Sequence, residues 1–195
     1  MRKLMMKMSV SLDGFVAETN GNLKWMFKST DEASTAWVAG LCGTAGLHIM
    51  GTKTFQSMGP YWPTSTGPFT APMNEAPKAV FTRKGFTPGS IFPHAELSPA
   101  ETSWAQARVF DGDLATGITE LKSEPGKPIL AHGGAEFMRS LIATGLMDEY
   151  HIVTHPIILG AGMPIFNGLL TPLDLKLVDV KVFSGGVVAH TYHPA

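Results

Sequence analysis

The stretch ILAHGGAEFMRSL, Ile129 to Leu141, constrains the fold more than any other part of the chain. It passes from a short apolar run, through two glycines, straight into a segment with helical apolar spacing. A strand joined to a helix by a bare turn marks an α/β unit. At the end of an open-sheet strand, such a turn leaves free N–H groups at the helix start, where a phosphate fits. A purely structural turn would use the same residues. Glu136, in the first helical turn, suits the helix dipole and is expected to point outward.

Similar segments alternate along the chain. Leu4 to Leu12 reads as a buried first strand; Lys7 interrupts its apolar run and Asp13 follows, which argues against a signal peptide. STDEASTAWVAGL reads as a helix, with Ser29 and Glu32 at capping-box spacing. GLHIMG has the glycine-bounded apolar pattern of a central strand. KTFQSM begins a short helix and KAVFTRK reads as a strand. GDLATGITELKSEPG reads as a helix capped by Asp111 or Asp113 and stopped by Pro125 and Gly126. The later segments DEYHIVTHPIIL and DLKLVDVKVFSGGVVAHTYH are rich in β-branched residues, and Gly185-Gly186 marks a hairpin. Gly59 to Pro77, rich in Pro, Thr and Gly, reads as a surface loop with Tyr61, Trp62 and Phe69 folded back on the body. The expected fold class is α/β, a mixed, mainly parallel central sheet flanked by helices, with an antiparallel C-terminal hairpin. No repeat or linker divides the 195 residues, so one domain over 1–195 is expected.

Composition removes several functional classes. The net charge is −1 with no basic block, which argues against nucleic acid or a membrane surface as partner. No run approaches the roughly 20 apolar residues of a membrane span. Cys42 is the only cysteine, so no intrachain disulfide forms, and a cytoplasmic setting is expected. The thiol reads as a small core residue. GLHIMGTKT is not a P-loop: Thr52 separates Gly51 from Lys53, and Leu47 to Met50 are too apolar for a phosphate cradle. His151 and His155 are separated by residues that favour a strand, where four positions span about 13 Å. They would not share one ion, and no metal is expected.

Taken together, MSVSLDGFVA, IMGTKTFQSM, KAVFTRK, ILAHGGAEFMRSLIATGLMDEYHIVTHPIILGAGMPIF and SGGVVAHTY resemble the dihydrofolate reductase fold. More narrowly, they resemble bacterial dihydrofolate reductase family proteins related to the C-terminal reductase domain of riboflavin biosynthesis. The resemblance implies a homodimeric, NADPH-dependent reductase with a small, heterocyclic substrate. Gly51, Thr52, Lys53 and Thr54 match the family's Gly-Arg-x-Thr turn for cofactor phosphates, with Thr52 in the arginine's place. Thr82, Arg83 and Lys84 end the strand where the family binds the adenosine 2′-phosphate. Gly133, Gly134 and Ala135 match the pyrophosphate turn, whose two glycines share a cis peptide in the parent reductases.

Two departures bear on the substrate. The riboflavin-pathway reductases carry Glu where this chain has His132, and Arg where it has Phe15. A ribosyl-phosphate substrate would miss that arginine. The 5-amino-6-(5-phosphoribosylamino)uracil reductase is therefore one alternative, and a non-catalytic NADP-binding sensor is another. Asp31 lies nearest the pterin-binding acid of true dihydrofolate reductases, but also where a helix-start acid belongs. Asp13, at the end of the first strand beside Gly14, is the candidate catalytic residue, to orient substrate or supply a proton; a turn aspartate is its plainer role. Trp25, Phe27 and Trp62 are candidates for the wall of a flat substrate site, with core or dimer contacts as the alternative.

Overall fold

The computed structural model describes residues 1–195. Eight strands form one sheet in the order β5 (Arg108–Phe110), β4 (Lys78–Phe81), β3 (Leu47–Gly51), β6 (Ile129–Ala131), β1 (Leu4–Ser11), β7 (Glu149–His155), β10 (Val188–Pro194) and β9 (Leu175–Val182). The first six run parallel, and β10 pairs antiparallel with both β7 and β9. Two short strands, β2 (Phe15–Ala17) and β8 (Met163–Pro164), make a separate antiparallel ribbon. This is the mixed, mainly parallel sheet with a C-terminal hairpin that the sequence pattern implies. Gly186, at φ 82°, supplies the left-handed residue that turns the hairpin.

The helices are α1 (Glu32–Thr44), α2 (Thr52–Met58), α3 (Thr70–Glu75), α4 (Pro99–Ala105), α5 (Leu114–Ser123) and α6 (Ala135–Ala143). They cover both faces of the sheet, which is why β1 is buried along nearly its whole length. Leu4, Met6, Met8 and Val10 of β1 pack in one cluster with Ile118 and Leu121 of α5 and Met138 and Leu141 of α6. Met5 belongs to a second cluster with Cys42, Phe55, Met73 and Trp104. The thiol of Cys42 is thus a core group, and burial pushes it up to about 11.

Three local expectations are corrected. The cap of α1 is Asp31, not Ser29. Its carboxylate accepts from the Ser34 N–H at 2.7 Å, and the Ser34 hydroxyl accepts from the Asp31 N–H at 3.0 Å. The Ser29 hydroxyl instead lies 2.9 Å from Nδ1 of His155. The 59–77 segment is not all loop, because it contains a 3-10 turn at Trp62–Thr64 and the helix α3. Trp62 and Phe69 do fold onto the second cluster, whereas Tyr61 stays exposed. Finally, α4 and β5 add two elements to the expected set. Ser98 and Glu101 form the capping box of α4, with Pro99 in its first turn.

Candidate functional site

A cleft of about 950 Å³ opens at the C-terminal ends of β3, β4, β5 and β6. Crevices at the carboxyl ends of parallel strands are where open α/β sheets bind ligands. Three chain segments, far apart in sequence, converge on it: Gly51 to Thr54, Thr82 to Lys84, and Gly134 with Ala135. Gly133 adjoins them through the turn and joins Gly134 by a cis peptide bond.

Each segment is placed by an element end. Gly51 closes β3 and caps α2, so Thr52 to Thr54 form the first turn of that helix. The Thr52 hydroxyl reaches back to the Phe81 carbonyl at 3.5 Å, which ties the turn to the end of β4. A Cβ on Gly51 would come within 3.2 Å of Phe137, so the β3 turn and α6 pack closely here. Gly134 caps α6 with no side-chain bond to the helix N–H groups. A Cβ on Gly134 would meet nothing nearer than the Thr54 hydroxyl at 3.6 Å. The cradle is open, and no protein side chain fills it.

The cleft is cationic. Lys53, Arg83, Lys84 and Arg139 line it, against the carboxylates of Glu136 and Asp113. Lys53, Arg83 and Lys84 form no ion pair. Asp113 is committed to capping α5, accepting from the Thr116 N–H at 2.8 Å. Glu136, expected to point away, instead lines the cleft as an exposed side chain. The apolar side is aromatic. Phe81 stacks on Phe110 at 5.0 Å and on Phe137 at 5.6 Å.

The other candidates lie elsewhere. Asp13 is not among the lining residues. Its carboxylate accepts from the backbone N–H groups of Leu159 at 3.1 Å and Gly160 at 2.8 Å, and so clamps the loop that follows β7. The Ser11 hydroxyl, and then those two N–H groups, hold it below the usual carboxylate range. Asp31 is likewise taken by structural bonds. The three aromatic candidates do not build one wall. Trp25 is buried, edge-on to His155 at 5.3 Å. Trp62 packs on Tyr61 and Phe69, and Phe27 is exposed. On β7, His151 meets Thr191 while His155 meets Ser29, so the two imidazoles serve different neighbours.

Sequence reasoning missed Phe81, Phe110, Phe137 and Arg139. Phe81 and Phe137 flank residues already singled out, one before Thr82 and one in the first turn after Ala135. Arg139 donates to the Pro164 carbonyl at 2.9 Å, linking α6 to the β2–β8 ribbon. That contact spans 25 positions, and no local pattern announces it.

The architecture is shared with solved structures. It is similar to a putative riboflavin biosynthesis protein from Shewanella sp. PV-4, with TM-score 0.73 and 22% identity, covering 100% of this chain and 99% of that one. It is also similar to the Enterococcus faecalis dihydrofolate reductase complexed with NADP(H), with TM-score 0.59 and 12% identity over 98% and 96% of the two chains. The fold is therefore dihydrofolate-reductase-like. The RibD C-terminal domain model matches residues 2–189, and the chain belongs to that family. Its curated relatives include the uncharacterized protein YyaP of Bacillus subtilis (strain 168), 30% identical over 192 residues, which are 98% of this chain and 95% of YyaP.

Proposed function

We propose that this protein is an NADPH-dependent reductase that transfers hydride to a small heterocyclic substrate. The observation that carries the reading is the open Gly134 cradle, set among unpaired cations at the carboxyl ends of parallel strands. A dinucleotide phosphate chain fits those features by charge and by space. Gly51, Thr52, Lys53 and Thr54 would hold phosphate from one side, and Gly133, Gly134 and Ala135 from the other. Thr82, Arg83 and Lys84 would meet the adenosine 2′-phosphate. The N-terminal end of α6 adds free N–H groups that favour an anion. When bound, the cofactor supplies the hydride; the chain binds, orients and shields from water. Family membership and a fold shared with an NADP(H)-bound reductase support the same reading.

Within the reductase class, Phe15 and His132 weigh against a ribosyl-phosphate substrate, which keeps the 5-amino-6-(5-phosphoribosylamino)uracil reductase as the alternative. A non-catalytic NADP-binding sensor is favoured by one observation: both acids of the cleft sit at its helix starts, and one is spent on a cap. We further propose a homodimer, since Val178, Val180 and Val182 leave apolar side chains exposed on the edge strand β9. A screen of pteridines, flavin precursors, quinones and carbonyl compounds, followed by NADPH oxidation, tests the reading. Turnover of one heterocyclic class supports it. NADPH binding without turnover of any compound supports the sensor instead.

A further inference from the structure

His132 is the last residue before the Gly133–Gly134 turn, and it is only 8% exposed. Its Nε2 lies 2.9 Å from Nδ1 of His48, whose own Nε2 lies 3.0 Å from the Pro72 carbonyl. These two distances fix both tautomers. A carbonyl oxygen only accepts, so the His48 Nε2 carries a hydrogen. Burial holds both imidazoles below the ordinary histidine range, His48 at about 4, so each ring is neutral with a single N–H. The hydrogen of His48 is committed to Pro72, which leaves its Nδ1 as a lone pair. His132 Nε2 must therefore donate to it, and His132 Nδ1 is left bare. No protein group bonds to that nitrogen, and it is not among the fully enclosed polar atoms.

The neighbouring strand brings a second polar side chain to this face. Met6 is in register with Ala131, so Lys7 sits beside His132 on the same face of the sheet. The Lys7 amine, whose pKa burial lowers, gives one bond, to the Ser9 hydroxyl at 3.0 Å, and has no carboxylate partner. Two further polar atoms near this face, Trp25 Nε1 and His155 Nε2, are buried without a partner. Such groups are costly unless water or a ligand satisfies them.

We propose that His48 is a positioning residue: by holding His132 in its Nε2–H form, it leaves Nδ1 as an acceptor that selects a substrate carrying an N–H or O–H there. The selection rests on the reductase reading above; the tautomer order does not. The α3 segment thereby acquires a role, because its Pro72 carbonyl anchors the relay.

Nitrogen-15 NMR of the full chain with labelled histidine tests this. At pH 7, His132 is expected to be neutral and protonated at Nε2. In His48→Leu the preference is expected to collapse into a tautomer mixture. In His48→Gln it is expected to persist, since a glutamine amide can donate to Pro72 and accept from His132. Uracil, which offers N–H, is expected to shift the His132 Nδ1 signal; 1,3-dimethyluracil, which offers none, is not. A wild-type His132 protonated at Nδ1, or an unchanged tautomer in His48→Leu, overturns the relay. Equal responses to the two probes, or none to either, overturn the selection. NADPH affinity of His48→Gln is expected to stay within about twofold of wild type. Failure of the wild type to bind NADPH would sink the reductase reading while leaving the tautomer result standing.

Discussion

The carboxylate of Asp31 accepts from the backbone N–H of Gly185 at 2.9 Å, joining the start of α1 to the C-terminal hairpin across 154 positions of sequence. The same carboxylate accepts from the Ser184 hydroxyl and caps α1. These bonds hold it well below the usual carboxylate range, the Ser34 N–H first among them. A depressed folded pKa contributes stability above the unfolded value and loses it as pH falls. The thermal stability of the wild type is therefore expected to fall as pH drops through about 4, with Asp31→Asn less stable near neutrality and less acid-sensitive. Identical acid limbs for the two proteins would show that the staple contributes nothing.

Lys78 makes a prediction of the same sign in an alkaline window. It is 1% exposed, donates to the Asn74 carbonyl and the Ser103 hydroxyl, and lies over Trp104 at 4.9 Å. Burial brings its pKa down to about 7. Between that value and the unfolded value of about 10.4, only the unfolded chain holds the proton. Stability should then rise with pH across this window, by up to about 1.4 kcal/mol per unit. Denaturant unfolding of Lys78→Met should show a flatter alkaline profile. A wild type whose stability is level from pH 7 to 9.5 would contradict the argument.

Asp13→Asn separates two roles. A proton donor would lose about a hundredfold or more in turnover with little change in thermal midpoint. The clamp on Leu159 and Gly160 instead predicts a lower midpoint and faster proteolysis of the loop after His155, since an amide accepts those N–H bonds more weakly. NADPH affinity is expected to be unchanged in both cases. A midpoint equal to wild type would remove the clamp.

Much of this was legible in the sequence for a definite reason. Strand period, β-branched runs and glycine turns are local, and β1, β3, β6, β7 and the β9–β10 hairpin all followed from them. The cleft was legible through Gly51 to Thr54, Thr82 to Lys84 and Gly133 to Ala135, because strand-end positions in parallel sheets converge. The misses are contacts whose partners are distant in sequence. Asp31 reads as a pterin-binding acid or a helix-start acid without sight of Gly185, and His132 is set against a glutamate without sight of His48, 84 positions away. Trp25 looked available until β7 placed His155 against it.

Arg83 should select NADPH over NADH. It follows the end of β4, lines the cleft and pairs with no carboxylate. A charge-assisted contact is worth roughly 1.5–3 kcal/mol. Arg83→Ala should weaken NADPH binding by about ten- to a hundredfold and leave NADH nearly unchanged. The loss should shrink at high salt. Equal weakening of both cofactors would place Arg83 on the pyrophosphate or on the fold.

The most direct test of the account is calorimetric titration of NADPH into the wild type and Gly134→Val, with the fold of each checked by circular dichroism and thermal unfolding. The Gly134 backbone has φ −81°, and a Cβ there meets no protein atom beyond its chain neighbours closer than 3.6 Å, so the position has room for the first carbon of a side chain. The added side chain would occupy the open cradle. NADPH is expected to bind the wild type, with no detectable binding to a folded Gly134→Val. Equal binding by both proteins, or none by the wild type, would contradict the account.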